Sequence, residues 1–164
     1  MRTHHARLPQ SGRSGVDSPP LVVDAAPSIV EARRAAFATH PLHRALGISL
    51  LDSGPGFSRV AIAASATTMG GVGGSVHGGL LACLVDIAML EAIIPTLDPA
   101  TDQPAGTADL NITYMRPALG NQVVADARVI KKGRQLAVVE IEIKDEQGRL
   151  CAKGRTLYAI RPRQ

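Results

Sequence analysis

The chain of 164 residues contains no tryptophan, two phenylalanines and two tyrosines, so its core must be built from aliphatic side chains. This scarcity argues against binding of single-stranded nucleic acid, whose bases stack on aromatic platforms. Cysteine is also rare, and Cys83 in an apolar run and Cys151 in a strand-like segment favour buried free thiols over a disulfide framework. Neither a metal site nor a cofactor is predicted. Four of the histidines, His4, His5, His40 and His43, do not combine with cysteines or acidic residues at the spacing of metal ligands.

Charge of one sign is not concentrated anywhere in the chain. The formal net charge is +4, and the basic excess is scattered apart from the short turn "KKGR" at 131–134, which argues against nucleic-acid binding. The first 20 residues contain no apolar signal segment. The longest apolar run, 79–94, contains Asp86 and Glu91 and is too short and too charged for a transmembrane helix. A cytoplasmic protein without a membrane partner is therefore expected.

One domain preceded by a tail is expected. Residues 1–27 are rich in Ser, Pro, Gly, Arg and His and show no apolar period, which predicts a flexible tail. Ser28 followed by Glu31 is a capping-box pattern, and it predicts a short helix to about Thr39 that Pro41 ends. The folded domain should then span residues 28–164.

Two strands, one long helix and four further strands follow in that order. The strand segments "LGISLLD" (46–52) and "FSRVAIAA" (57–64) flank a turn sequence. The helix begins at "HGG" (77–79) and stops near Pro95, because proline breaks the hydrogen-bond ladder. The four later strands are separated by short turns and predict an antiparallel meander. Since the long helix alone can cover the apolar face of that sheet, we predict an α+β fold with a curved antiparallel sheet wrapped around one central helix.

Alternation within two of the later strands assigns faces to their side chains. In "TADLNITY" (107–114) the apolar residues from Ala108 to Tyr114 should share one face, with Thr107 on the other. In "LAVVEIEIK" (136–144) the apolar residues should oppose the glutamates. One face of each strand should pack, and the other should meet water or a partner.

The start of the long helix has the features of a site for a carbonyl oxygen. A helix N-terminus exposes unpaired N–H groups and the positive end of the dipole. Gly78 and Gly79 place no side chain there, so a ligand could approach the backbone closely, as in an oxyanion hole. The same glycines could instead only shape a tight junction between loop and helix.

Asp86 is a carboxylate inside an otherwise apolar helix, which costs several kcal/mol unless it is paired, solvated or neutral. It is either a structural carboxylate, or a general base or nucleophile beside a cleft that water reaches. Cys83 is a rival nucleophile, but no histidine near it in sequence would activate it. Gly78 and Asp86 are eight residues apart, about 12 Å along one helix, so one carbonyl carbon cannot touch both. They serve different purposes, or they come from two subunits of a homodimer joined at free sheet edges.

Residues 41–160 resemble the hotdog-fold acyl-CoA thioesterases of the phenylacetate-degradation type. The resemblance rests on "HGG" with Asp86 nine residues after the histidine, and on "TADLNITYMRPA" (107–118) after the helix. The segments "GRQLAVVEIEI" and "DEQGRLCAKGR" are similar to the closing strands of the family. The resemblance implies a hotdog fold and hydrolysis of a thioester, usually acyl-CoA, to a free acid and a thiol. It also implies a dimer with a site at each interface, often paired into a tetramer.

The resemblance also implies roles for individual residues. The N–H of Gly78 would polarise the thioester carbonyl, with His77 and Gly79 beside it in the substrate-binding segment. Asp86 of the neighbouring subunit would act as nucleophile or as general base on water, and the hydroxyl of Thr107 would orient that step. Many members carry an Asn six residues before the histidine that assists at the carbonyl. This chain has Gly71 there, which is expected to lie in the substrate-binding segment.

Two features leave alternatives open. A group of basic residues could bind CoA phosphates or be plain solvated positions, namely Arg116, Lys131, Lys132 and Arg134. The alternative to an enzyme is a non-catalytic hotdog protein that binds acyl thioesters as a sensor or carrier: Asp86 favours the enzyme, and Gly71 favours the binder. A hotdog dehydratase would resemble a His–Glu pair, and residue 86 is not Glu. A DNA-binding regulator would need a recognition module that the tail is too short to form.

Overall fold

A computed structural model describes residues 29–163. The predicted tail of residues 1–27 and the predicted cap at Ser28 lie outside the described residues. The elements are, in chain order, α1 (Ile29–Thr39), α2 (Pro41–Leu46), β1 (Ile48–Gly54), β2 (Phe57–Ala63), α3 (Gly78–Ile93), β3 (Asp102–Tyr114), β4 (Gln122–Lys132), β5 (Leu136–Lys144) and β6 (Leu150–Pro162). Single 3-10 turns lie at Val72–Gly74 and Ile94–Thr96.

The chain before the sheet contains two helices rather than one. Pro41 ends α1, as predicted, because the residue before a proline is extended: His40 has φ −62° and ψ 126°. The same proline then starts α2, where its fixed φ suits the first helical position and no N–H is needed. Gly47, with φ 62°, closes α2 in the left-handed conformation.

The six strands form one antiparallel sheet in the order β1-β2-β4-β5-β6-β3. The prediction of a meander through all four later strands was wrong for β3, which pairs with β6 at the edge of the sheet while β4 pairs with β2. The connection of residues 115–121 carries the chain from the end of β3 across to β4. A connection of that length does not make a tight hairpin, so β3 and β4 need not be neighbours.

Helix α3 lies across the concave face of the sheet and forms the centre of the core. Eight of its residues are buried, from Leu81 to Ile93, and they face the buried side chains of β2, β4, β5 and β6. The alternation predicted for β5 is confirmed: Glu140 and Glu142 are half-buried, and the residues predicted to pack are buried, namely Ala137, Val139, Ile141 and Ile143. A Cβ on Gly154 of β6 would lie 2.8 Å from both γ carbons of Val85, so the helix crosses the sheet where only glycine leaves room. The predicted fold class is confirmed.

The apolar character of α3 follows from this burial. Together with the 3-10 turn after it, the helix runs over Gly78–Thr96 and is long and apolar enough to cross a membrane by length and composition alone. The expectation that residues 79–94 are too short and too charged for a transmembrane helix was wrong by these two criteria, because the 3-10 turn extends the helix. Packing on the sheet accounts for the same hydropathy: a core helix is expected to be hydrophobic all round.

Candidate active site

The N-terminus of α3 carries one free backbone donor. His77 is the N-cap, and its Nδ1 accepts a hydrogen bond of 3.0 Å from the N–H of Gly79. The N–H groups of Leu80 and Leu81 bond to the carbonyl of His77. Among the described residues the N–H of Gly78 has no acceptor. The imidazole therefore satisfies the second N–H of the helix and leaves the first for a ligand.

A cleft of about 480 Å³ opens on this helix start. Three of the predicted binding residues line it, His77, Gly71 and Arg116, together with Gly78 itself. Gly79, predicted beside them, does not line the cleft, because its N–H turns back to the histidine. The remaining lining is mostly apolar or small and consists of Gly70, Val72, Ser75, Val76, Leu81, Tyr114, Met115, Pro117 and Ala118. The cleft can thus hold an apolar group next to a single N–H donor.

Tyr114, at the end of β3, holds the first turn of α3 in place. Its hydroxyl donates a hydrogen bond of 2.8 Å to the carbonyl of Gly78. A Cβ on Gly78 would lie 3.4 Å from the ring, so even a methyl group would fill the space between strand and helix. Sequence reasoning gave Tyr114 no role. The signal was available, since it is one of two tyrosines in the chain and follows the apolar face of β3.

Asp86 and Thr107 lie against each other within one chain. The Thr107 hydroxyl donates a hydrogen bond of 2.7 Å to Asp86 Oδ1. Asp86 is half-buried on α3, and Thr107 is exposed on the edge strand. Neither residue lines the cleft at Gly78. Within one chain, the N–H of Gly78 and the carboxylate of Asp86 therefore lie apart, as predicted.

The prediction that Thr107 faces away from the apolar residues of β3 was wrong. Thr107 pairs with Tyr158 of β6, whereas Asp109 pairs with Leu157, so Ala108 is the extra residue of a β-bulge. A bulge interrupts the alternation of side chains. Tyr158 is buried on the helix side of the sheet, and Thr107 beside it points to the same side, where it reaches Asp86. Strict alternation would have turned the hydroxyl away from the carboxylate.

Cys83 is a poor candidate for the nucleophile. Burial raises the pKa of its thiol, and the negative charge of Asp86 raises it further. Since the thiolate is the reactive form, a raised pKa lowers nucleophilicity at neutral pH. Both cysteines are free, with Cys151 buried as expected and Cys83 half-buried. Within residues 29–163, no group of three or more His, Cys, Asp and Glu side chains could hold a metal ion.

Gly71 lines the cleft but leaves no room for a side chain. Its φ of −80° is accessible to any residue. A Cβ there would overlap the hydroxyl oxygen of Ser75 and lie 2.8 Å from the carbonyl oxygen of Val76. The loop therefore could not accept the asparagine of the family without moving. Ser75, which sequence reasoning missed, occupies the place instead.

The four predicted phosphate-binding residues do not lie together. Arg116 lines the cleft and donates to the carbonyl of Leu150 at 2.9 Å. Lys131 and Lys132 end β4 at the opposite end of the sheet, and Arg134 is in the turn that follows. Lys132 is paired with Asp102 at 2.6 Å. Within one chain only Arg116 is close to the helix start.

Comparisons with known proteins agree with this architecture. Residues 73–152 match the model of the thioesterase superfamily. A solved protein of the thioesterase superfamily is 30% identical, with a TM-score of 0.69, over 80% of this chain and 98% of that protein. The Escherichia coli PaaI protein, from the phenylacetic acid degradation operon, is 26% identical with a TM-score of 0.67, over 77% of this chain and 88% of its own.

A human relative is also similar over the centre of the chain. Acyl-coenzyme A thioesterase 13 of Homo sapiens is 42% identical over 84 residues, which are 50% of this chain. That match spans 58% of the human protein, so the chain covers little more than half the length of this relative.

Proposed function

Since the chain belongs to the thioesterase superfamily, we propose that it hydrolyses acyl-CoA thioesters to a free carboxylic acid and CoA. The similarity to human acyl-coenzyme A thioesterase 13 supports CoA as the thiol. The domain boundary at residue 28 and the cytoplasmic location stay predictions.

The observation that carries the proposal is the free N–H of Gly78 on an apolar cleft. A thioester carbonyl oxygen placed there accepts this N–H at the positive end of the α3 dipole. As the carbonyl carbon is attacked, the oxygen gains negative charge, and the fixed N–H stabilises that charge without reorganising. The apolar lining of the cleft suits the acyl chain or the pantetheine arm.

Asp86 supplies the attacking group. As a general base, its carboxylate takes a proton from water while the water oxygen bonds to the carbonyl carbon; the C–S bond then breaks, and the thiolate leaves with a proton. As a nucleophile, the carboxylate bonds to the carbonyl carbon, the C–S bond breaks and the thiolate leaves with a proton from solvent. Water then hydrolyses the resulting anhydride to the free acid and the Asp86 carboxylate. In both cases the Thr107 hydroxyl holds Asp86 Oδ1 in one orientation, so the other oxygen faces the substrate.

The carbonyl at Gly78 of one subunit is attacked from Asp86 of another. The two residues are about 12 Å apart on one helix, so a dimer is required. Strand β3 supports it: each of its residues is exposed or half-buried, and its outer edge has no strand partner among the described residues. A long, uncovered edge strand is a template for pairing with another chain.

Antiparallel pairing of two β3 strands gives the right juxtaposition. A two-fold axis through Asn111 pairs Leu110 of one subunit with Ile112 of the other, and the bulge at Ala108 then sets Thr107 opposite Tyr114. Thr107 bonds to Asp86 and Tyr114 bonds to Gly78, so the pairing brings the carboxylate of one chain to the free N–H of its partner. Association of two such dimers would give the tetramer.

The same pairing gathers the basic residues. It places the Asp102 end of one β3 near the Tyr114 end of the other, and with it the turn that carries Lys131, Lys132 and Arg134. Arg116 is already at the cleft. The phosphates of CoA would then contact basic groups from both subunits. Lys132 would contact a phosphate while it stays paired with Asp102.

Substitution Asp86→Asn tests the catalytic role. Asparagine keeps the shape but is neither basic nor nucleophilic, so kcat should fall at least about 100-fold, with the oligomer and the melting temperature retained. The assay is release of free CoA from acetyl-, hexanoyl-, decanoyl- and phenylacetyl-CoA. Hydrolysis by the variant at the wild-type rate would make Asp86 a structural carboxylate. Tight binding of these thioesters without turnover by the wild type would favour the sensor or carrier.

Mixed dimers test the division of the site between subunits. Asp86→Asn and Gly78→Val are each expected to be inactive, the latter because the larger side chain would enter the space next to Tyr114. After unfolding and refolding together, heterodimers carry both intact groups at one of their two sites and should regain part of the activity. A mixture as inactive as its components, with heterodimers verified by mass spectrometry, would contradict the shared site.

A further inference from the structure

The cleft contains a second polar group that the proposed mechanism does not use. Ser75 is 4% exposed, yet its hydroxyl has no hydrogen-bond partner among the described residues. It lines the same cleft as Gly78, three residues before it in the chain. The fully buried side-chain atoms without a partner among the described residues are Arg33 Nε and Thr156 Oγ1, so the Ser75 oxygen is accessible, and a ligand in the cleft can reach it.

The backbone holds this serine rigidly. Its carbonyl accepts hydrogen bonds from the N–H groups of Gly70 and Gly71, at 3.2 and 3.0 Å. The next two residues are tied as well, Val76 to Ala118 at 3.1 Å and His77 to Thr68 at 2.9 Å. The segment that leads into α3 is therefore fixed on both sides, and the hydroxyl is held in place before a ligand arrives.

Gly71 is what keeps the hydroxyl in the cleft. A Cβ at that position would overlap the Ser75 oxygen. With glycine there, no side chain of residue 71 competes with the hydroxyl for this space. The absence of a side chain at Gly71 therefore makes room for the side chain of Ser75.

We propose that the Ser75 hydroxyl is the second hydrogen-bond donor to the thioester carbonyl oxygen, alongside the N–H of Gly78. The inference rests on the proposed thioesterase function and adds one catalytic residue to it. The hydroxyl donates its hydrogen to the carbonyl oxygen, and the bond strengthens as the C=O bond becomes a C–O⁻ single bond. No proton is transferred, and Ser75 is not acylated. Two donors converging on one oxygen are the usual composition of an oxyanion hole.

Substitution Ser75→Ala should lower kcat about 100-fold, the smaller of the losses seen when one oxyanion-hole donor is removed. KM should change less than about threefold, because the bond is made mainly in the transition state. Ser75→Cys has a similar volume and a weaker hydrogen-bond donor, so its kcat should lie between those of the wild type and of Ser75→Ala. Ser53→Ala is the matched control: Ser53 is also buried and unpaired among the described residues but lies on β1, away from the cleft.

A spectroscopic readout separates donation from packing. Hexanoyl-CoA labelled with ¹³C at the thioester carbonyl is bound to the Asp86→Asn variant, and the C=O stretch is measured by isotope-edited infrared spectroscopy. The stretch should shift to lower frequency on binding, and Ser75→Ala in the same background should reverse part of that shift. The measurement needs binding but no turnover.

The outcomes are distinct. A folded Ser75→Ala variant with kcat within twofold of wild type, or a loss of kcat with an unchanged carbonyl frequency, overturns the role of Ser75. A wild type that hydrolyses none of the acyl-CoA panel overturns the proposed function instead, and the carbonyl stretch of bound hexanoyl-CoA still reports whether Ser75 donates to it.

Discussion

Removal of the Thr107 hydroxyl by Thr107→Val should slow hydrolysis with little effect on substrate binding. Valine has the same shape and the same preference for strands, so the bulge at Ala108 and the edge strand should persist. The hydroxyl is 2.7 Å from Asp86 Oδ1, and its loss leaves the carboxylate free to rotate away from the substrate.

The size of the effect follows from that contact. A hydrogen bond to a charged group contributes about 1.5–3 kcal/mol, and each 1.4 kcal/mol is a factor of ten in rate. If the bond acts on the attacking group in the transition state, kcat should fall roughly 10- to 100-fold and KM should change little. Thr107→Ser keeps the hydroxyl and should retain most of the activity.

Steady-state release of CoA measures both constants, and Thr113→Val provides the matched control. Thr113 lies on the same strand, is also exposed, and pairs with exposed Lys153 on the opposite face of the sheet from Asp86. A Thr107→Val enzyme with wild-type kcat would refute the orienting role. Equal losses in the valine and serine variants would assign the effect to packing of the threonine methyl.

Two further outcomes follow from local contacts. The family pattern would favour Gly71→Asn, but this substitution should lower the melting temperature by roughly 3–10 °C and give no gain in kcat/KM. The reason is that its Cβ would collide with the Ser75 hydroxyl and the Val76 carbonyl. A gain in kcat/KM at unchanged melting temperature would show that the loop accepts the side chain. Asp145 should make the folding stability sensitive to acid. Burial acts to raise the pKa of its carboxyl, but the hydrogen bonds and positive charge of Arg149 outweigh burial and hold that pKa below its usual value. The stability it contributes is present above about pH 4 and is lost as the pH falls toward the lowered pKa, so acid titration of the unfolding free energy should be flatter in Asp145→Asn.

The six strands and the long helix were predictable because each has a strong local signal. The alternation in β5 is uninterrupted, and buried and half-buried residues follow it along the whole strand. Helix α3 is apolar apart from Asp86 and Glu91, and its start at "HGG" and its end near Pro95 are marked by residues with known conformational limits. These signals depend on near neighbours in sequence, which a single chain displays.

The position of β3 and the face of Thr107 were not predictable, because both depend on distant parts of the chain. Strand order is decided by which strands cover α3, and that is a property of the whole core. The bulge at Ala108 exists because the pairing with β6 shifts by one residue between Thr107 and Asp109. Nothing in the order of residues 107–114 marks that shift, so alternation assigned the hydroxyl to the wrong face.

Removal of the Ser75 hydroxyl should cost the free protein little stability. Deleting a hydroxyl that is hydrogen-bonded in the fold costs about 0.5–1.5 kcal/mol, whereas the Ser75 hydroxyl has no partner among the described residues and its oxygen is not one of their fully buried unpaired atoms. Ser75→Ala should therefore melt at about the same temperature as the ligand-free wild type, in contrast to the usual cost of deleting a buried hydrogen bond. A thioether analogue of acyl-CoA that keeps the carbonyl one carbon away from sulfur should then raise the melting temperature of the wild type more than that of the variant, since ligand stabilisation grows with affinity. If Ser75→Ala instead melts several degrees lower without ligand and gains as much from the analogue as the wild type does, the hydroxyl serves the fold and not the substrate.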